Sequence, residues 1–180
     1  MKAARVLAAI AVALALQTTL TQFVIRGTVA FDLVLVVVVY VALTSGPVTG
    51  LLSGSVAGLA QDALASASGV AGMGLASGVI GIGGLAKTVV GFLAGVIGMQ
   101  FIVTQQVPRF VVFLGATLVH GVVFNGLYLL VAPRSFSMPF ASVASQAVGN
   151  AVVGVVAFQL VEFLPGAVER RRTGRTRARR

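Results

Sequence analysis

The chain alternates long apolar runs with short polar or glycine-rich stretches, and the runs have the length of membrane helices. Six spans are predicted, at about 4–25, 29–43, 46–64, 84–104, 109–132 and 141–164, against the roughly 20 apolar residues that cross ~30 Å of hydrocarbon. The β-branched run Val34 to Val41 would suit a buried strand in a soluble protein. An open strand leaves backbone groups that lipid cannot satisfy, so the run is read as the second helix. Residues 65–83 are ambiguous. They hold six of the 22 glycines and only moderate apolar character, which fits a re-entrant or interfacial segment, or an extension of the fourth helix, better than a seventh span. Pro108, Pro133, Pro139 and Pro165 lie near span ends, where a missing amide hydrogen costs little.

Composition agrees. Of 180 residues, 58% are hydrophobic and 9% charged, where a soluble domain carries about 25% charged residues; the mean hydropathy is +1.04. The expected fold class is an all-α integral membrane protein, a six-transmembrane-helix bundle over 1–166 followed by a basic, disordered tail over 167–180. The lack of cysteine excludes disulfides and thiolate metal sites. The net charge of +9 would suggest nucleic acid in a soluble protein, but seven of the thirteen basic residues lie between Arg170 and Arg180. That clustering reads as a topology anchor beside anionic lipid, with no nucleic-acid partner. With six spans both termini are cytoplasmic: ten basic residues, including Lys2, Arg5 and Arg109, fall inside, and Arg26, Lys87 and Arg134 fall outside. The start, through Ala13-Leu14-Ala15, resembles a signal peptide. Apolar character resumes through Leu20 and Ile25, which favours an uncleaved first helix.

The polar and small positions inside the spans narrow the chemistry. Gly46, Gly50, Gly54 and Gly58 recur every four residues and end at Gln61-Asp62; Gly83, Lys87, Gly91 and Gly95 form a second such stripe. In water four glycines in one helix would each cost about 1 kcal/mol relative to alanine, whereas in a bilayer the spacing makes a groove for another backbone. Asp62 and Lys87 fall at the same depth on facing glycine stripes. An ion pair docking helices three and four is expected, unless each reaches separately into the headgroups. Asp32 opens helix two as an N-cap or contacts a partner. His120, Gln146, Asn150 and Gln159 read as interhelical hydrogen bonders, and Glu162 as solvated or paired near the basic tail. There is no plausible triad, no carboxylate pair at hydrolase spacing and no phosphate-cradling loop. Neither enzyme activity nor a cofactor is expected.

Four segments resemble the MreD family of rod-shape-determining membrane proteins. Leu16-Gln17-Thr18-Thr19-Leu20 is similar to that family's helix-one end, and Phe31-Asp32-Leu33 with Tyr40 to its helix-two opening. Gly50 through Gly58 with Leu59-Ala60-Gln61-Asp62 resembles its Gly-Leu-Leu-Gln-Asp signature, and Leu85-Ala86-Lys87-Thr88 through Gly91 and Gly95 its helix-four motif. Together they cover roughly residues 16–98; Phe31 replaces the family's usual proline, and no proline follows Asn150. Beyond residue 100 the likeness rests on length, span pattern and the basic tail. The resemblance marks Gln17, Asp32, Gln61, Asp62, Lys87 and Thr88 as motif positions. It implies a non-enzymatic component of the bacterial cytoplasmic (inner) membrane that serves lateral wall synthesis. The implied partners are the bitopic MreC, the actin-like MreB, and a RodA-type glycosyltransferase with its class B penicillin-binding protein.

The competing class is a substrate-binding S-component of an energy-coupling-factor vitamin transporter, also built of six helices, a fold the resembled family is thought to share. Ala4/Ala8, Ala9/Ala13 and Ala11/Ala15 match the docking spacing of such proteins, but in so alanine-rich a helix the match carries little. The absence of tryptophan and the presence of only two tyrosines argue against an aromatic-lined pocket. A flippase-like channel would have only His120, Asn125, Gln146 and Asn150 to line it.

Overall fold

The computed structural model describes residues 2–24, 31–68, 81–101, 105–131 and 140–177. They form six α-helices: α1 (Lys2–Val24), α2 (Leu33–Ser45), α3 (Pro47–Ser68), α4 (Ile82–Gln100), α5 (Gln106–Val131) and α6 (Phe140–Arg177). No strand occurs among the described residues, and the valine run lies within α2. Of the ambiguous stretch 65–83, residues 65–68 extend α3 and Ile82 opens α4, while 69–80 lie outside the described residues. The tail read from composition as disordered continues the helix of α6 as far as Arg177; arginine and glutamate are good helix formers.

Helix α2 is the axis of the bundle, and α1, α3, α4, α5 and α6 all pack against it. Its two sides bury separate clusters. Val34 and Val38 meet Ile10, Ala13 and Ala57. Leu35, Val36, Val39 and Ala42 meet Val90, Ala94, Phe113, Ala151 and Phe158. With 13 residues, α2 is about 20 Å long, less than the hydrocarbon thickness. It stops at Gly46, whose φ of +91° suits a residue without Cβ and whose N–H returns to the Ala42 carbonyl at 2.9 Å. Pro47 follows at once as the first residue of α3, where its missing N–H is no loss. Gly46 is therefore the turn between two helices. It also opens the packing stripe, since its carbonyl carbon lies against Gly95 of α4.

The remaining glycines set the closest helix contact. Facing antiparallel, Gly50 lies against the Gly91 carbonyl, Gly54 against that of Lys87, and Gly58 against Gly83 and Gly84. Gly95 meets Pro47 in turn. A methyl group at any of these positions would collide with backbone, so the two chains approach as only glycine permits. Ser55 and Thr88 add a hydroxyl–hydroxyl bond of 2.7 Å across the same seam.

Among the described residues three segments are long and apolar enough to cross a membrane: Ile82–Gln100, Gln106–Val131 and Val143–Phe163 within α6. Ala3–Thr19 and Leu33–Ser45 are apolar but shorter. Serines, Gln61 and Asp62 dilute α3. These features are those of a membrane protein.

Glycine substitutions should divide by what a Cβ would meet. Gly54→Ala, forced against the Lys87 backbone, is expected to destabilise by about 1–3 kcal/mol. Gly126→Ala has nothing within 4 Å and is expected to be neutral or to stabilise by up to about 1 kcal/mol. Thermal unfolding in detergent followed by circular dichroism tests both.

Candidate functional site

The polar side chains of the spans gather where α2 begins. A helix leaves its first amides without intrahelical acceptors, and in lipid each unmet group costs several kcal/mol. Asp32 is buried, so water does not supply the acceptors. Side chains from three elements do. Asn150 Oδ1 on α6 accepts from the Asp32 N–H at 2.9 Å. Gln17 Oε1 on α1 accepts from Val34 N–H at 3.1 Å. Asp32 Oδ1 accepts from Leu35 N–H at 2.9 Å. This last contact is the N-cap expected of Asp32.

The second carboxylate oxygen of Asp32 pairs with Lys87 Nζ of α4 at 2.8 Å, both side chains being almost wholly buried. Lys87 Nζ also lies 3.4 Å from His120 Nε2 of α5. Behind it, Asn150 Nδ2 donates to Thr117 Oγ1 at 3.4 Å, and that hydroxyl donates to the Phe113 carbonyl at 2.9 Å. The start of α2 is thereby tied to α1, α4, α5 and α6 through one connected set of side chains.

The expected Asp62–Lys87 ion pair is not formed. Asp62 Oδ2 accepts from the N–H groups of Gly81 at 2.9 Å and Gly84 at 3.2 Å. It caps α4 across the glycine seam, and the positive end of the helix dipole balances its charge. Lys87 begins the second turn of α4 and turns to Asp32 instead. The spacing argument placed both residues at the right depth. It missed Asp32 because that residue looked fully used as a cap, whereas a carboxylate has a second oxygen. Thr88 reaches Ser55, and Gln61 turns a buried Oε1 that has no hydrogen-bond partner among the described residues.

A second charged contact lies at the opposite end of the hairpin α5–α6. Arg109 donates to both Glu162 oxygens, Nη1 at 3.0 Å and Nη2 at 2.5 Å. Its guanidinium stacks 4.3 Å above the Phe158 ring, which Tyr40 meets edge-on at 4.5 Å. Glu162 thus pairs with Arg109 of α5 while its side chain stays 55% exposed, solvated as well as paired. Sequence reading counted Arg109 only toward topology. The available signal was its place at the start of one antiparallel helix, level with Glu162 near the end of the next.

Chemically, the junction around Asp32 is a closed set. Its ammonium faces one carboxylate and one imidazole nitrogen, and its amide side chains are spent on the backbone or on Thr117. Among the described residues no three His, Cys, Asp or Glu side chains gather as a metal-binding group. The arrangement fixes helices relative to one another. Comparison with protein-family models, with curated proteins and with solved structures finds no match.

Lys87→Met would leave Asp32 buried and unpaired, at an expected cost on the order of 3–5 kcal/mol. The double variant Asp32→Asn/Lys87→Met removes both charges while asparagine keeps the cap, and most of that loss should return. The exchange Asp62→Lys/Lys87→Asp should not rescue, because it sets a cation against the α4 amides. Detergent melts of the three variants decide between the two pairings, and rescue by the exchange would restore the Asp62–Lys87 pair.

Proposed function

We propose that this protein is a non-enzymatic, multi-pass scaffold of the bacterial cytoplasmic membrane. On this reading it belongs to the cell-elongation machinery in the manner of the MreD family. It crosses the bilayer six times, with both termini in the cytoplasm and the Asp32 junction toward the outside. The observation that supports this most is the convergence of the four resembling segments. Gln17, Asp32, Lys87 and Thr88, and Asp62 come from separate stretches of sequence, and each closes a contact between elements: Gln17 to Val34, Asp32 to Lys87, Thr88 to Ser55, Asp62 to Gly81 and Gly84. Motif residues that hold one another are what a shared fold requires. Apart from Gln61, whose buried Oε1 has no partner among the described residues, they also spend polar groups internally, so partner binding falls to the outer helix faces.

The proposed partners are MreC through its single transmembrane helix, MreB beneath the membrane, and the RodA-type glycosyltransferase with its class B penicillin-binding protein. Anionic lipid is the proposed contact of the basic end of α6.

Affinity purification of the tagged chain from its native membrane in mild detergent, followed by mass spectrometry, tests the reading. Recovery of MreC with the synthase pair is expected, and depletion of the chain should turn rods into spheres. Recovery of an ATPase with a coupling subunit, or of a tightly held vitamin, would replace the scaffold with a transporter S-component.

A further inference from the structure

Arg109 and Glu162 are unequal partners. The arginine side chain is 5% exposed and the glutamate side chain 55% exposed. The cation is held from beneath. Its guanidinium lies 4.3 Å over the Phe158 ring, and Tyr40 and Phe113 meet that ring edge-on at 4.5 Å and 6.2 Å. A planar guanidinium stacked on a fixed ring keeps its fork aimed one way, whichever anion stands before it. The glutamate lacks such support. An ion pair with one half-exposed partner is weak, so a competing anion displaces Glu162 at little cost.

The second observation is the depth of the pair. Arg109 lies in the first turn of α5, and Glu162 stands one residue before the end of the apolar segment Val143–Phe163. Two antiparallel spans end together there, at the layer where a bilayer carries its phosphates. Just before the arginine, Gln105, Gln106 and Val107 are exposed. The start of α5 is thus open on that side, and its positive end favours an anion.

We propose that Arg109 is a phosphate-binding site at the membrane boundary, with Glu162 as its built-in occupant, displaced by the phosphodiester of a phospholipid headgroup. The two oxygens that Glu162 presents to Nη1 and Nη2 stand in for two phosphate oxygens, since the fork matches both groups. The site rests on the membrane character of the chain and not on the scaffold reading. It is also distinct from a contact of anionic lipid with the basic end of α6. That contact needs net negative charge, whereas a fork reads the phosphate itself and accepts a zwitterionic lipid.

The test melts the full chain in mild detergent, alone and with phosphatidylcholine, phosphatidylglycerol or inorganic phosphate, as wild type, Glu162→Gln and Arg109→Lys. Phosphatidylcholine has no net charge and so reports the fork without the tail. It should raise the melting temperature of Glu162→Gln by at least ~3 °C more than that of the wild type, because the competitor is gone. Arg109→Lys keeps the charge and loses the fork, and should show no rise. Native mass spectrometry of the same mixtures should find about threefold more lipid retained by Glu162→Gln than by the wild type. A response to the lipids and not to inorganic phosphate supports a headgroup as the ligand; an equal response to inorganic phosphate overturns the headgroup and assigns a soluble phosphate to the fork. Equal lipid responses from all three chains overturn the site and leave the pair a staple between α5 and α6. If Glu162→Gln does not fold, lipid retention by the wild type against Arg109→Lys decides: about a threefold loss in the variant supports the site, and equal retention overturns it.

Discussion

A helix that begins inside an apolar bundle must find acceptors for its first amides, and the rest of this structure is arranged around that need. Helix α2 is too short to reach across a bilayer, so its N-terminal end cannot borrow water. Asn150, Gln17 and the Asp32 carboxylate satisfy it. Bringing Asp32 into the interior raises a second demand, since a lone carboxylate there is costly, and Lys87 meets it. Lys87 in turn fixes the place of His120. Each step answers a penalty created by the one before, which is why residues from five helices converge on one end of the shortest of them.

The glycine seam and this polar junction are mechanically linked. Gly54 lies against the carbonyl of Lys87 itself, and Gly58 against the turn of α4 that Asp62 caps. The distance between α3 and α4 therefore sets how far the lysine side chain reaches toward Asp32. A side chain added at Gly54 would push away the backbone that carries the central cation. Packing and electrostatics are two views of one constraint here.

Much of this was legible in the sequence. The helical character, the places of the elements to within a few residues except for the C-terminal end of α6, and the close approach of the Gly50–Gly58 and Gly91–Gly95 faces follow from spacing and from what lipid forbids. His120 and Asn150 were readable as interhelical hydrogen bonders. What spacing could not supply was the identity of partners. Depth along a helix restricts a charge to a layer, and three charged residues share the Lys87 layer. The choice among them depends on which way each carboxylate turns, and for Asp62 that was decided by backbone amides that carry no sequence signature. Gly46 shows the other limit, since its four-residue spacing with Gly50 gives no sign that it also turns the chain.

The single-residue connection at Gly46 has a consequence for how the chain enters a bilayer. Helix α3, with its serines, Gln61 and Asp62, is poorly suited to insert alone, whereas α2 is almost wholly aliphatic. A linker of one residue leaves no room for the two to partition separately. The quantity that governs insertion is then the transfer free energy of the hairpin as a whole, in which the favourable terms of the valines and leucines offset the unfavourable terms of α3. On the proposed six-span topology α2 would carry its successor, and with it the carboxylate that caps α4, into the membrane.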